Sequence, residues 1–126
     1  MSGIRREEVV VMLGAIERAW KRGDLKGLCS FYAWDASFLS SSRWARGRKF
    51  ILGRYQTLFP DPMNMGRLSF KLLEFSRWGT SNSQRASAIV TWQLEQVSAK
   101  TEGFSLLVLK KTSKLGKVRI CQDASV

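Results

Sequence analysis

Apolar residues recur at three- and four-residue steps near the start of the chain and at every second position in its latter half. Val9, Met12, Leu13, Ile16, Ala19 and Trp20 fall on one face of a helix over 5–22. Gly23 ends that helix, and Asp24 is placed to cap a second, short one carrying Leu25, Leu28, Phe31 and Tyr32. Ala36–Ser40 reads as a short strand and Arg43–Ala45 as its partner, with Ser40, Ser41 and Ser42 making the turn. A third helix is expected from Gly47 to about Phe59, where Pro60, Asp61 and Pro62 stop it.

After Gly66 the period becomes two. Leu68, Phe70 and Leu72 alternate with Ser69 and Lys71, and then Leu73 and Phe75 continue in the opposite phase. A phase flip inside one strand is what a β-bulge produces, and bulges bend sheets. Gly79–Asn82 reads as a turn, and Ala86, Ala88, Val90, Trp92 and Leu94 mark a second long strand. A third covers Gly103–Thr112 and a fourth Val118–Ala124, joined by a hairpin at Lys114–Lys117. Helices first and long strands afterwards predict one α+β domain over 1–126, with helices packed on one face of an antiparallel sheet. The third long strand does not alternate cleanly: Phe104, Leu106 and Val108 line one side and Leu107 and Leu109 the other. A sheet with one wet face should alternate, so something must cover the second face. A homodimer using Ile89, Thr91, Gln93, Leu107 and Leu109 is the simplest cover, and a strand wrapped back over the sheet is the other.

Composition narrows the chemistry. The 126 residues include no histidine, which excludes His-based triads, imidazole shuttles and His-ligated zinc. Two cysteines, Cys29 and Cys121, are too few for a disulfide framework or a four-thiolate site, and both read as core residues. No Gly-rich phosphate loop and no metal-ligand spacing occurs, so neither a cofactor nor a metal is expected. No apolar run approaches the ~18 residues of a membrane span. Arg5, Arg6, Glu7 and Glu8 interrupt any secretory h-region, which makes the cytoplasm the expected compartment. The net charge of +11 comes partly from two stretches, Arg43–Arg54 and Lys110–Arg119, each free of acids. Such stretches attract nucleic acid or another polyanion electrostatically, and Trp44 could stack on a base. No nucleic-acid-binding motif accompanies them.

Ala19-Trp20 with Arg22-Gly23-Asp24-Leu25, and Phe31-Tyr32-Ala33-Trp34-Asp35-Ala36-Ser37-Phe38, resemble the opening of the nuclear transport factor 2-like superfamily in its SnoaL-like branch. Arg46-Gly47-Arg48 with Tyr55, and the ending Gly103–Lys111, Val118-Arg119-Ile120 and Asp123-Ala124-Ser125, are similar to that branch as well. The resemblance runs from about Glu7 to Ser125. It implies a cone of three N-terminal helices in a strongly curved sheet, a pocket between them and, frequently, a homodimer through the outer sheet face. Activity in the superfamily ranges from isomerases, cyclases and hydrolases to non-catalytic binders, so the resemblance does not assign a reaction. Two departures bear on chemistry. The closing strand reads Cys121, Gln122, Asp123, Ala124, Ser125 where many relatives carry imidazoles, and the isomerases' carboxylate base has only Ser40 or Ser41 at the comparable place.

The candidate site follows from those residues. A small hydrophobic molecule is the expected ligand, in a pocket lined by Trp20, Tyr32, Tyr55, Trp92, Phe104 and Gln122. Trp20 reads equally as plain core, whereas Gln122 is a polar residue on an apolar strand and needs a partner. If the protein is an enzyme, Asp123 and Asp35 are the catalytic candidates, with Tyr32 or Tyr55 as donor to a developing oxyanion. The ordinary alternatives are a turn or cap role for Asp35 and an ion pair with Arg119 for Asp123. Loss of the imidazoles favours a binder without catalysis.

Overall fold

Sixteen residues of amphipathic sequence form helix α1 (Arg6–Lys21), whose six buried side chains are those the periodicity singles out. The computed structural model describes residues 3–79, 84–111 and 116–126. Gly23, at φ +70°, turns the chain out of α1, and Asp24 caps α2 (Leu25–Cys29) by accepting from the Gly27 amide at 2.9 Å. Strand β1 then begins at Tyr32, four residues before the expected Ala36, so Tyr32 belongs to the sheet rather than to α2. Strand β2 (Arg43–Arg46) pairs with it, and α3 (Arg48–Leu58) follows. A single 3-10 turn at Pro62–Asn64 leads into β3 (Arg67–Arg77), β4 (Arg85–Glu95), β5 (Lys100–Lys111) and β6 (Val118–Ser125). The turn at Gly79–Asn82 and the hairpin at Lys114–Lys117 fall largely outside the described residues, as does Thr112.

The six strands form one sheet in the order β2-β1-β6-β5-β4-β3. It is mixed rather than antiparallel throughout, because β1 and β6 run parallel. The connection from β1 to β6 carries four strands, α3 and the 3-10 turn and returns β6 in the same direction, which a local hairpin could not do. Register shifts interrupt β3 between Leu72 and Glu74, β1 between Tyr32 and Ser37, and β5 against β6 between Val108 and Leu109. The first lies where the phase flip predicts it. Each shift adds bend, and together they curl the sheet around the helices.

Helix α1 docks on the sheet by burying Val9, Met12, Leu13 and Ile16. Glu17 of α1 also accepts the Phe70 backbone N–H at 2.7 Å, which satisfies a donor on the edge strand β3. Helix α3 is held differently. Its one fully buried residue is Ile51, and Arg48 in its first turn donates twice to the Tyr32 carbonyl, at 2.6 and 3.0 Å.

The two sides of β5 sort opposite to the expected dimer face. Leu107 and Leu109 are buried inward, at 3% and 0% exposure, whereas Phe104 and Leu106 are about half exposed on the outer face. Ile89 pairs with Leu106 and shares that outer face. The physical reason is the β4 partner: Ala88 and Leu107 are registered opposite each other, and Ala88 is in the core. Among the described residues no helix is long and apolar enough to cross a membrane.

Candidate functional site

The concave side of the sheet and α1, α2 and α3 enclose a cavity of about 310 Å³, at the small end of the ~300–1,000 Å³ usual for small-molecule sites. Its walls are aromatic. Trp20 meets Phe59 edge-on at 4.8 Å and Tyr55 at 6.3 Å, and the Tyr55 and Phe38 rings stack at 5.6 Å. Leu58, Gln96 and Thr101 line the cavity and are exposed, so they mark its mouth. Asp123 lies at the other extreme, with 7% of its surface exposed.

Asp123 reaches the interior because its registered partner on β5 is the inward-facing Leu107, while β1 places Phe38 on its other side. Its carboxylate is held by hydroxyls. Tyr32 donates to Oδ2 at 2.6 Å, and Ser125 donates to Oδ1 at 3.2 Å. Ser105 and Ser125 share a hydrogen bond of 2.6 Å behind it. The Tyr55 hydroxyl lies 3.3 Å from that of Tyr32. Since the single Tyr32 proton is committed to Asp123, Tyr55 must be the donor in that contact.

Burial pushes the Asp123 carboxyl up to about 6, against the hydroxyl bonds from Tyr32, Ser125 and Ser105, which pull it down. Burial also raises Tyr32 well above its ordinary range, with the Asp123 charge adding to the effect, and Tyr55 rises for the same two causes. The arrangement is thus a hydrogen-bonded chain, Tyr55 to Tyr32 to Asp123, in which only Asp123 can exchange a proton near neutral pH. Such a group can act as acid or base towards an atom within hydrogen-bond reach.

Trp20, Tyr32, Tyr55, Trp92 and Asp123 all line this one cavity. Three other candidates do not. Gln122 is exposed, because adjacent residues of a strand point to opposite faces and Asp123 takes the inner one. Phe104 lies on the outer face, exchanging backbone hydrogen bonds of 2.9 and 2.8 Å with Val126. Asp35 sits in the irregular stretch of β1 and pairs with Lys110 at 3.8 Å, well outside the cavity lining. Arg119 is no partner of Asp123: its guanidinium stands over Phe31 at 5.9 Å and donates to the Val118 carbonyl.

Sequence reasoning missed Ser105, Ser125, Phe38 and Arg54 as lining residues. Ser125 had a signal, since it lies two positions from Asp123 on one strand and so shares its face. Arg54 had none, because it reads as one more residue of a basic run. Cys29 is buried and its thiol is pushed up to about 12 by burial, which leaves it inert at neutral pH. Among the described residues no three His, Cys, Asp or Glu side chains stand close enough to hold a metal ion.

Comparison with solved structures places the architecture. An NTF-2-like protein of unknown function from Shewanella oneidensis superposes with a TM-score of 0.84 at 24% identity, covering 94% of this chain and 96% of that one. A ketosteroid isomerase-like protein from Erwinia carotovora gives 0.71 at 17% identity, covering 97% and 96%. A domain with a cystatin-like fold from Nostoc punctiforme gives 0.75 at 18% identity, covering 98% and 78%. No family profile and no curated protein matches the chain.

Proposed function

We propose that this chain, a nuclear transport factor 2-like cone, binds a small apolar molecule in the cavity and sets one polar atom of it against the Tyr55–Tyr32–Asp123 chain. The observation that carries the reading is the buried Asp123 on the wall of an otherwise apolar, aromatic cavity. Desolvating a carboxylate is costly, and a ligand hydroxyl or carbonyl beside it recovers part of that cost. Titration of Trp20 and Trp92 fluorescence with a panel of small aromatic alcohols and ketones, at 50 mM and 500 mM salt, tests it. Saturable binding that barely changes with salt is the expected result. Signals seen only with RNA, and collapsing at high salt, would establish the rival polyanion reading instead.

The structure gives the rival little support. Arg48 is turned inward to the Tyr32 carbonyl and Arg54 lines the cavity, so the Arg43–Arg54 run does not form one basic face. In the second stretch Lys110 and Lys111 are paired with Asp35 and Glu8, at 3.8 and 3.1 Å. An acid/base enzyme acting on a small organic substrate is the second reading, favoured by the position of Asp123 alone. Asp35→Asn should then leave any activity intact and shift stability by less than about 1 kcal/mol, as expected of a partly exposed ion pair.

A homodimer belongs to the same proposal, with corrected contacts. Trp44, Leu39, Ala124, Leu106 and Ile89 are registered neighbour to neighbour across five strands, forming one apolar row on the outer face. A second copy of this chain is the occupant such a self-complementary row fits. Leu106→Glu should convert a dimer to a monomer in sedimentation at 150 mM salt. Low salt is the wrong condition, since each chain carries +11. A parent chain that sediments as a monomer overturns the dimer.

A further inference from the structure

Arg54 is a half-buried guanidinium on the wall of an apolar cavity, with no carboxylate within 4.0 Å among the described residues. Its position is fixed rather than loose. One terminal nitrogen donates to the Ser40 carbonyl at 2.7 Å, and the guanidinium carbon stands 5.4 Å from the centre of the Phe38 ring. A guanidinium carries five N–H donors, and these contacts leave several without a protein acceptor. Arg54 and Asp123 are the two charged residues lining the cavity. Arg54 lies one helical turn from Leu58, which is exposed at the mouth, whereas Asp123 is buried.

The remaining polar inventory points the same way. The indole N–H groups of Trp20 and Trp92 are buried on the cavity wall and have no hydrogen-bond acceptor among the described residues. Unsatisfied buried donors in a native fold call for an explanation, and here two of them belong to side chains that line the cavity alongside Arg54.

We infer that the ligand is an apolar carboxylate, an aryl- or alkyl-carboxylic acid whose anion sits on Arg54 while its hydrocarbon body lies among Trp20, Phe38 and Tyr55. This rests on the pocket reading above and adds the charge of the ligand to it. A planar carboxylate matches the guanidinium fork, and the low-polarity wall strengthens the pair relative to water. The volume, about that of ten water molecules, suits a body of one ring with a short chain.

Calorimetric titration with 4-phenylbutyrate, its methyl ester and 4-phenylbutanol, at pH 7.5 and 150 mM salt, tests the inference. The acid should bind at least ~10-fold more tightly than the two neutral analogues. Arg54→Met should erase that preference while still binding 4-phenylbutanol, which shows that the cavity is intact. Arg54→Lys should retain part of it. Lys49→Met removes an exposed charge on the same helix and should leave the preference unchanged. Equal binding of acid and ester by the parent chain overturns the inference without any variant, and the pocket reading survives. A preference that Lys49→Met erodes as much as Arg54→Met overturns it too, by assigning it to net charge. Failure of all three compounds to bind sinks the pocket reading itself.

Discussion

Ile51→Ala should destabilise the chain by about 2–4 kcal/mol and lower its melting temperature by roughly 8–15 °C. Ile51 is completely buried and is the one fully buried residue of α3. That helix supplies Arg54, Tyr55 and Leu58 to the cavity wall, with Phe59 as its C-cap. Truncating the anchor removes apolar contacts and leaves a void that the neighbours fill only in part. The same change frees α3 to shift, so ligand affinity should fall in the fraction of molecules that remain folded. Phe50, the preceding residue, is 68% exposed, and Phe50→Ala should cost no more than about 0.5 kcal/mol. Urea unfolding of both variants distinguishes the two sites, and equal losses would show that α3 is not anchored through Ile51.

Asp123→Asn should change the pH dependence of stability more than any other single substitution at the site. In the unfolded chain the carboxyl titrates near its ordinary 3.8, and in the cavity it titrates near 6. The folded state therefore binds this proton more tightly. Its contribution is complete below about pH 4, declines as the pH rises towards 6, and is absent above that. From the difference between the two values this amounts to roughly 2–3 kcal/mol. The asparagine variant has no proton to lose, and its carbonyl can still accept from Tyr32. The melting temperature of the variant relative to the parent should therefore rise by roughly 6–15 °C between pH 4 and pH 7.5 and then level off. Taking the difference cancels the other groups, among them Glu8, which its burial and the opposing contacts of Lys111 and Arg5 leave below its ordinary range. A difference that stays flat across this range would mean that Asp123 is solvated. If the protein proves to be an enzyme, the same variant should lose its activity while retaining apolar ligands.

Much of the architecture is legible in the one-dimensional pattern, because it depends on local periodicity. The six buried positions of α1 recur at helical steps, the Asp24 cap precedes α2, and the bulge in β3 shows as a change of phase. Each is a property of a few consecutive residues. The lack of histidine is equally local, and it restricts proton chemistry to carboxylates, tyrosines and water however the chain folds.

Faces and partners were decided only when distant segments met. Along β5 both faces are apolar, so the period cannot say which is inside; pairing with Ala88 turns Leu107 inward and leaves Phe104 and Leu106 outside. On β6 the alternation allows either Gln122 or Asp123 to face the cavity, never both, and the register with β5 selects the charged one. Ordinary preference would put the carboxylate in water and give Asp123 a cation such as Arg119. Instead Tyr32, 91 residues earlier in the chain, and the Ser105–Ser125 pair stabilise it by hydrogen bonds. Asp35 is turned outward to Lys110 by the irregularity in β1. The chain alone specifies which segments form helices and strands, because backbone period is set by near neighbours. Which polar group is buried depends on long-range registry, since the cost of desolvating it is offset only by partners that the folded sheet brings within about 3 Å.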